Sequence, residues 1–410
     1  MNNSKTCSEA VGRQDRMRSR PEQIKFWSST EYSGFLAGLI RELNESSFDA
    51  HQCYQISEQS YRSAKSAPAR LFLRFRQYVA YPIQLIAALV AQGLRAKSRK
   101  LDEEGDVCVV STNTFYAPLL ATYLHSNVVH LVYDLFPEAM IHSGKWTEGT
   151  SKVKIVRWIT KQSLKRAKMN VFLGQRLKEY VESIHGPVAN GAIIPIGADQ
   201  ALFSESPVEG RSLNPQSSPT ILYCGNFGNM HDSATLFDYW KRSDEQGDSL
   251  QWVFHCSGPK LAELEAVLSE FSEDLKKQIQ LGAGLDQAAW IAAMESADVG
   301  LVTMVPGSET VVMPSKTYSA MMAGQAILAI APEDSDLIDL IKAADCGWFV
   351  EPGDVDGLVR VVEAICTDPE GLLEKRQNAY LYAQAHLGQD TLVNDWMRAL
   401  RDTATASFQP

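Results

Sequence analysis

The feature that most constrains this 410-residue chain is an alternation that starts twice. Short, nearly unbroken apolar runs are each followed by loop residues and then by apolar residues at helical spacing. Gln23–Ser29 (QIKFWSS) reads as a first strand, and Phe35, Leu36, Leu39, Ile40 and Leu43 then line one face of a helix. Val107–Ser111 (VCVVS), Val128–Tyr133 (VVHLVY) and Asn170–Leu173 (NVFL) repeat the strand type. Runs without polar alternation mark parallel strands buried on both faces. Strand alternating with helix predicts an open α/β sheet. Ser204–Pro219 (SESPVEGRSLNPQSSP) breaks the pattern, being rich in Ser, Pro and Gly. Beyond it the alternation restarts at Ile221–Cys224, Trp252–His255, Ile279–Gly282, Val299–Val302, Ile327–Ile330 and Trp348–Val350.

The expected fold is therefore α/β, with two doubly wound Rossmann-like domains facing a central cleft. The expected divisions are a polar tail over 1–22, a first domain over 23–203, a linker over 204–219, a second domain over 220–380 and a C-terminal segment over 381–410. The last helix, about Leu373–Thr403, is expected to cross back onto the first domain. Two such sheets bind ligands outside the carboxyl ends of their strands.

Composition narrows the class. The chain is 45% hydrophobic and 21% charged, ordinary for a globular protein. Its seven cysteines (7, 53, 108, 224, 256, 346 and 366) are odd in number and scattered, with no C-x-x-C. That excludes a disulfide framework or zinc ligand set and fits reduced thiols in the cytoplasm. No apolar run reaches the ~18 residues of a membrane-spanning helix, and the first 20 residues lack the apolar core of a secretory leader. Charge is uneven: residues 1–200 carry 26 Lys+Arg against 18 Asp+Glu, and 201–410 carry 13 against 31. The halves are expected to face different partners, the basic one an anionic surface. The acidic half makes nucleic acid a poor partner.

Familiar signatures are missing: no G-x-G-x-x-G follows the first strand, and the P-loop, H-E-x-x-H and G-x-S-x-G patterns do not occur. Two strings do point to chemistry. In Tyr223–Asp232 (YCGNFGNMHD) a strand ends in Gly225 and Asn226, where glycine admits close approach of a ligand to backbone, and Asp232 is suited to cap a helix. An ordinary strand-to-helix turn reads the same way. In Ser308–Gly324 (SETVVMPSKTYSAMMAG), Pro314 suits the first turn of a helix, with Ser315, Lys316 and Thr317 beside it. Free N–H groups, hydroxyls and a cation converging there suit a diphosphate. A third string, Asp334-Ser335-Asp336, has the spacing of a D-x-D metal motif, but helix capping explains it more simply.

Taken in order, YCGNFGNMHD, FHCSGPK (Phe254–Lys260), ADVGLVTMVPGSETVVMPSKTYSAMMAG (Ala297–Gly324) and CGWFVEPGD (Cys346–Asp354) resemble the donor domain of glycosyltransferase family 4, of the two-domain GT-B fold. VSTNTFYAP (Val110–Pro118), YDLFPE (Tyr133–Glu138), VFLGQRL (Val171–Leu177) and IPIGAD (Ile194–Asp199) resemble landmarks of the first domain. The resemblance runs from about Gln23 to Arg401. It implies a nucleotide-sugar donor, expected to be a UDP-sugar, held by the second domain. It implies a glycan or lipid-linked acceptor held by the first, retention of configuration, and neither cofactor nor required metal. Gly225 and Asn226 would lie near the diphosphate, Lys316 with Pro314, Ser315 and Thr317 would take it, and Gly284 and Leu285 would meet the base. His231 stands where many relatives place a phosphate-binding lysine. Asp134 and Glu138 would line the acceptor side, with Asp134 accepting the acceptor's proton or merely closing a turn. One departure is plain: Ser319 stands where many relatives carry a glutamate for donor hydroxyls. A catalytically degenerate scaffold in a polysaccharide-assembly complex, or a nucleotide-sugar epimerase, are the alternative readings.

Between Gln59 and Leu101 lie nine Lys/Arg and no Asp or Glu, interleaved with Leu71, Phe72, Phe75, Tyr78, Ile83 and other apolar residues. This stretch suits peripheral contact with an anionic membrane face, or a core helix with a basic solvated edge.

Overall fold

The structure, a computed structural model, describes residues 23–31, 35–46, 48–57, 59–60, 64, 66–99, 106–205, 207–208, 218–246, 250–311 and 313–405. The tail expected over 1–22 lies outside them, as do 206 and 209–217 of the expected linker. The chain divides into two compact units. One comprises the residues up to Ile141, Trp146–Pro195 and the stretch from Gln389. The other comprises His142–Lys145 and Ile196–Gly388.

The first unit holds β1 (Gln23–Trp27), β2 (Asp49–Cys53), β3 (Val107–Ser111), β4 (Val128–Val132), β5 (Met169–Phe172) and β6 (Gly191–Ile193). They form one sheet in the order β2-β1-β3-β4-β5-β6, every pair parallel. All residues of β3 and β4 are buried, as unbroken apolar runs require. The two edge strands, β2 and β6, are additions to the sequence reading. β2 is DAHQC, with Ala50 alone fully buried, and β6 is three residues long. Short and polar strands are typical of sheet edges, and apolar runs do not reveal them.

The second unit holds β7 (Thr220–Asn226), β8 (Gln251–Ser257), β9 (Ile279–Gly282), β10 (Val299–Thr303), β11 (Ala326–Ile330) and β12 (Gly347–Val350). Their order is β12-β11-β10-β7-β8-β9, again all parallel. β8 and β9 lie to one side of β7 and β10, β11 and β12 to the other, so the direction of winding reverses between β7 and β10. In the first unit it reverses between β1 and β3. Such switch points are where open α/β sheets hold ligands. Aromatic packing fixes the second unit's core: Trp240 and Trp252 are fully buried and meet edge to face with centroids 5.7 Å apart.

The single C-terminal helix expected over Leu373–Thr403 is two helices, Pro369–His386 and Gln389–Thr405. Leu387 leaves helical geometry (φ −122°, ψ −2°) and Gly388 follows it. The first helix belongs to the second unit, where fully buried Arg376 donates to Gly324 O at 2.9 Å and to Asp298 Oδ1 at 2.7 Å. The second belongs to the first unit, where the Trp396 ring lies 5.8 Å from that of Phe26. Among the described residues no helix is long and apolar enough to cross a membrane, and Cys53, Cys108, Cys224, Cys256, Cys346 and Cys366 are all free.

Candidate functional site

The switch point of the second unit gathers most of the residues that carry the sequence argument. β7 ends in exposed Gly225 and Asn226. Gly225 has φ +134°, a left-handed backbone that excludes most side chains, and the space where a Cβ would stand is open. The Asn226 side chain lies against Gly258, whose own Cβ would fall 2.5 Å from Asn226 Oδ1 and 2.7 Å from Phe227 O. Glycine at 258 therefore lets the loop after β8 close over the end of β7. The two loops are tied there by Phe227 N to Ser257 O (2.6 Å) and Lys260 N to Phe227 O (3.2 Å).

His231 and Asp232 stand just ahead of the helix Ala234–Gln246 instead of opening it. Asp232 Oδ1 accepts from Thr235 N at 3.1 Å, the capping role its position suggests. His231 Nδ1 donates to Thr303 O at 2.8 Å, since a carbonyl only accepts. The ring stacks near Phe227 and meets Tyr223 edge-on. Burial first, and then the Lys316 charge, push its pKa down to about 3. His231 is thus neutral at neutral pH, so it is no substitute for a lysine's charge. Lys260 supplies a cation that the sequence reading left without a role. Its Nζ donates to His231 O at 2.7 Å and Ser233 Oγ at 2.9 Å, clamping the turn.

The helix Lys316–Met322 starts later than expected, with Ser315 as its N-cap and Pro314 one residue further out. The N–H groups expected to be free there are partly used: Thr317 N donates to Pro314 O (3.0 Å) and Tyr318 N to Ser315 O (3.2 Å) in a tight turn. The decisive correction concerns Lys316. The residue is partly exposed, but its ammonium is buried 3.9 Å above the Tyr223 ring. Nζ has no hydrogen-bond acceptor among the described residues, the hydroxyls Thr317 Oγ1 and Thr303 Oγ1 have no partner there, and Glu309 Oε2 has no donor. Burial lowers the Lys316 pKa to about 7, partly offset by nearby Cys224 and Cys256. Tyr223 ties the group together: it carries Lys316 on its face, His231 at its edge, and donates its hydroxyl to Asn226 O at 2.9 Å. Nothing in the sequence singled it out, because a tyrosine inside a strand reads as core. Ser319 sits half-buried in the same helix.

Gly284 and Leu285 follow β9, two strands from β7. Gly284 is exposed with open space around it, and Asp286 caps the next helix through Ala289 N. They lie past the carboxyl end of β9 in the same sheet. The D-x-D spacing resolves as capping: Ser335 Oγ accepts from Ile338 N at the start of Asp336–Ala344. Among the described residues no group of three His, Cys, Asp or Glu could hold a metal ion.

In the first unit, Asp134 follows β4, and its N–H donates to Thr112 Oγ1 at 2.9 Å, just past β3. Burial raises its carboxyl pKa, which strengthens a general base. Glu138 is buried, and its Oε1 accepts from Arg157 Nε at 2.7 Å while Arg157 also grips Glu148 with both terminal nitrogens. That is a structural fastening of the short helix Glu138–His142. Sequence reasoning missed Asn113, at the first unit's switch point, which donates to Ser28 Oγ (3.0 Å) and Thr30 Oγ1 (3.1 Å). A cavity of about 180 Å³ lined by Lys161, Lys165 and His185 lies instead by the loop that leads into the amino end of β6.

Comparison with known proteins agrees with this architecture. No family model matches the chain. A protein of Pseudomonas aeruginosa named "Probable glycosyltransferase WbjE" is 24% identical over 296 residues, covering 68% of this chain and 70% of that one. Among solved structures, HepE of Anabaena in complex with UDP superposes with a TM-score of 0.65 at 13% identity, over 92% of this chain and 98% of that one. Sucrose-phosphate synthase of Thermosynechococcus elongatus gives 0.66 at 14% identity, over 93% and 98%. With two Rossmann-like units of parallel sheet, the chain has the GT-B fold of these structures, and over two thirds of its length it is similar to a protein named a probable glycosyltransferase.

Proposed function

We propose that this chain is a family 4-like glycosyltransferase that moves a sugar from a UDP-sugar to a cell-surface glycan or glycolipid acceptor, with retention of configuration. The observation that carries the reading is the set of buried polar atoms lacking protein partners around Lys316, Thr317 and Thr303, beside the open end of β7. Buried polar groups without partners are rare and call for one. A diphosphate would satisfy the ammonium and the hydroxyls together. HepE, of the same fold, is known in complex with UDP and with UDP-glucose, and WbjE is named a probable glycosyltransferase.

In this reading Gly225 and Asn226 lie along the diphosphate, Ser315 and Thr317 contact it, and Lys316 carries the balancing charge. A lysine about 4 Å from a phosphate gains roughly 4 kcal/mol at an effective dielectric of 20. That stabilisation grows as negative charge develops on the leaving diphosphate, so it acts on the transition state. His231, neutral, orders the turn through its hydrogen bond to Thr303 O. Gly284 and Leu285 meet the base, Ser319 faces the donor sugar, and Asp134 takes the acceptor's proton, with Glu138 supporting that loop through Arg157. The acceptor is met at an anionic membrane face through residues 59–101.

Thermal shift of the purified chain with UDP, GDP, ADP and their sugar conjugates tests this. A ligand at 100 times its Kd adds about 2.7 kcal/mol. A shift with UDP and its conjugates, lost in Lys316→Ala, is the expected result. A folded sample that responds to no nucleotide would favour the scaffold reading instead.

A further inference from the structure

The helix Ala67–Phe75, a π turn over Arg76–Ala80 and the helix Tyr81–Arg99 run as one continuous rod. This rod has two opposed apolar faces. Tyr81, Leu85 and Leu89 are fully buried against Trp27, Cys108 and Val110. The other face is bare: Leu71 is 69% exposed, Ile83 62% and Leu94 65%. Phe75 and Val79 fill the interval from Leu71 to Ile83 at steps of four, and Ile86 and Val90 continue it to Leu94. None of the nine residues of Ala67–Phe75 is buried. The i→i+5 ladder of the π turn keeps steps of four in line, where an unbroken α-helix would rotate them off the face. The stripe runs about 35 Å at 1.5 Å per residue.

A contiguous apolar face of this length marks an interaction surface. Charge selects the partner. Arg70 and Arg74 are exposed on the first helix, and the sequence from Gln59 to Leu101 has nine Lys/Arg and no acid. Two copies packed through this face would bring like charges together with no carboxylate from the segment to balance them. An anionic bilayer supplies both the hydrocarbon and the counter-charge.

The π turn also touches the acceptor-side switch point. Gln77 Nε2 donates to Asn113 O at 2.8 Å, Thr114 Oγ1 donates to Gln77 O at 3.1 Å, and the Tyr116 hydroxyl donates to Tyr78 O. Asn113 in turn holds Ser28 and Thr30 after β1. π turns recur at functional sites, and this one joins the bare stripe to the loops at the carboxyl ends of β1 and β3. We propose that the Leu71–Leu94 stripe lies in the interface of an anionic bilayer and holds the first unit's switch-point loops at that surface, so that the acceptor is a bilayer-anchored anionic lipid or lipid-linked glycan. The acceptor clause rests on the transferase reading; the docking clause does not.

The test is co-sedimentation of the full chain with phosphatidylcholine vesicles, with and without phosphatidylglycerol. Binding is expected to the anionic vesicles alone and to weaken with salt. Phe72→Glu/Phe75→Glu and Ile83→Glu should each cut partitioning about tenfold or more, and Arg70→Glu/Arg74→Glu should do the same. These positions are exposed, so the variants should keep the parent melting temperature, which checks folding. Failure to bind either vesicle, equal binding to both, or glutamate variants that bind like the parent would overturn the proposal. So would a parent that is dimeric by light scattering and becomes monomeric in the glutamate variants without ever binding vesicles. The UDP thermal shift, measured on the same variants, should be unchanged. Vesicle binding without that shift would count against the donor reading alone, and the shift without vesicle binding against the bilayer alone.

Discussion

At the scale of single residues, Lys316 couples the proposed donor site to pH. Its pKa in the folded chain is about 7, below its ordinary 10.5. Between those values the unfolded chain binds the extra proton, so stability rises with pH from about 7 towards 10.5 and is lowest below 7. Lys316→Met should therefore raise the melting temperature at pH 6 more than at pH 9, by about 1–4 kcal/mol at the acid end as a buried charge gives way to an apolar isostere. The same variant should lose the UDP shift. Melting curves at the two pH values check the first, and a variant with the parent's pH dependence would refute it. A diphosphate beside Lys316 favours its charged form, so UDP affinity should fall as pH rises above about 7, with proton uptake on binding. Calorimetry in two buffers of different ionisation enthalpy measures that uptake. His231 carries the opposite lesson: a histidine in a lysine's place is held neutral by burial and by Lys316.

At the scale of elements, the proposed donor site depends on how two strand ends meet. Gly258 (φ +122°) leaves no room for a methyl beside Asn226 and Phe227. Gly258→Ala should cost about 1–3 kcal/mol through backbone strain and also weaken UDP binding by displacing Asn226. Chemical denaturation and the nucleotide shift report the two effects separately. The motif YCGNFGNMHD draws attention in the sequence because its glycines break a strand, whereas Gly258 and Lys260 appear there only within FHCSGPK, with no role of their own. They matter only because β8 lies beside β7, in register from Thr220–Gln251 to Asn226–Ser257. Pro314 and Ser315 were correctly placed near a helix start. The later start of the helix, and the use of its first N–H groups within the turn, depend on local geometry that residue types do not specify.

At the scale of the whole molecule, the chain closes each unit with residues distant in sequence. Trp396 is 2% exposed and packs on Phe26, so Trp396→Ala should destabilise the first unit by about 3–5 kcal/mol. The UDP shift of the second unit should survive, which separates this from a global effect. Arg376→Ala would strip the buried partner from Asp298 and the Gly324 carbonyl, and should cost the second unit about 3–5 kcal/mol. Differential scanning calorimetry would resolve which transition moves in each variant.

By itself the sequence determined the α/β class and ten of the twelve strands found among the described residues. It also determined the order of the motifs and so the family likeness. These follow from periodicity and turn chemistry, which act over a few residues. Strand order, the two switch points, the polar edge strands and the break at Leu387–Gly388 were decided by tertiary structure. So were the parking of Lys316 on Tyr223 and the bare face of the Leu71–Leu94 rod. In each of these the outcome depends on which distant segment lies alongside, and burial, with the pKa shifts it causes, is a property of that neighbourhood rather than of the residue.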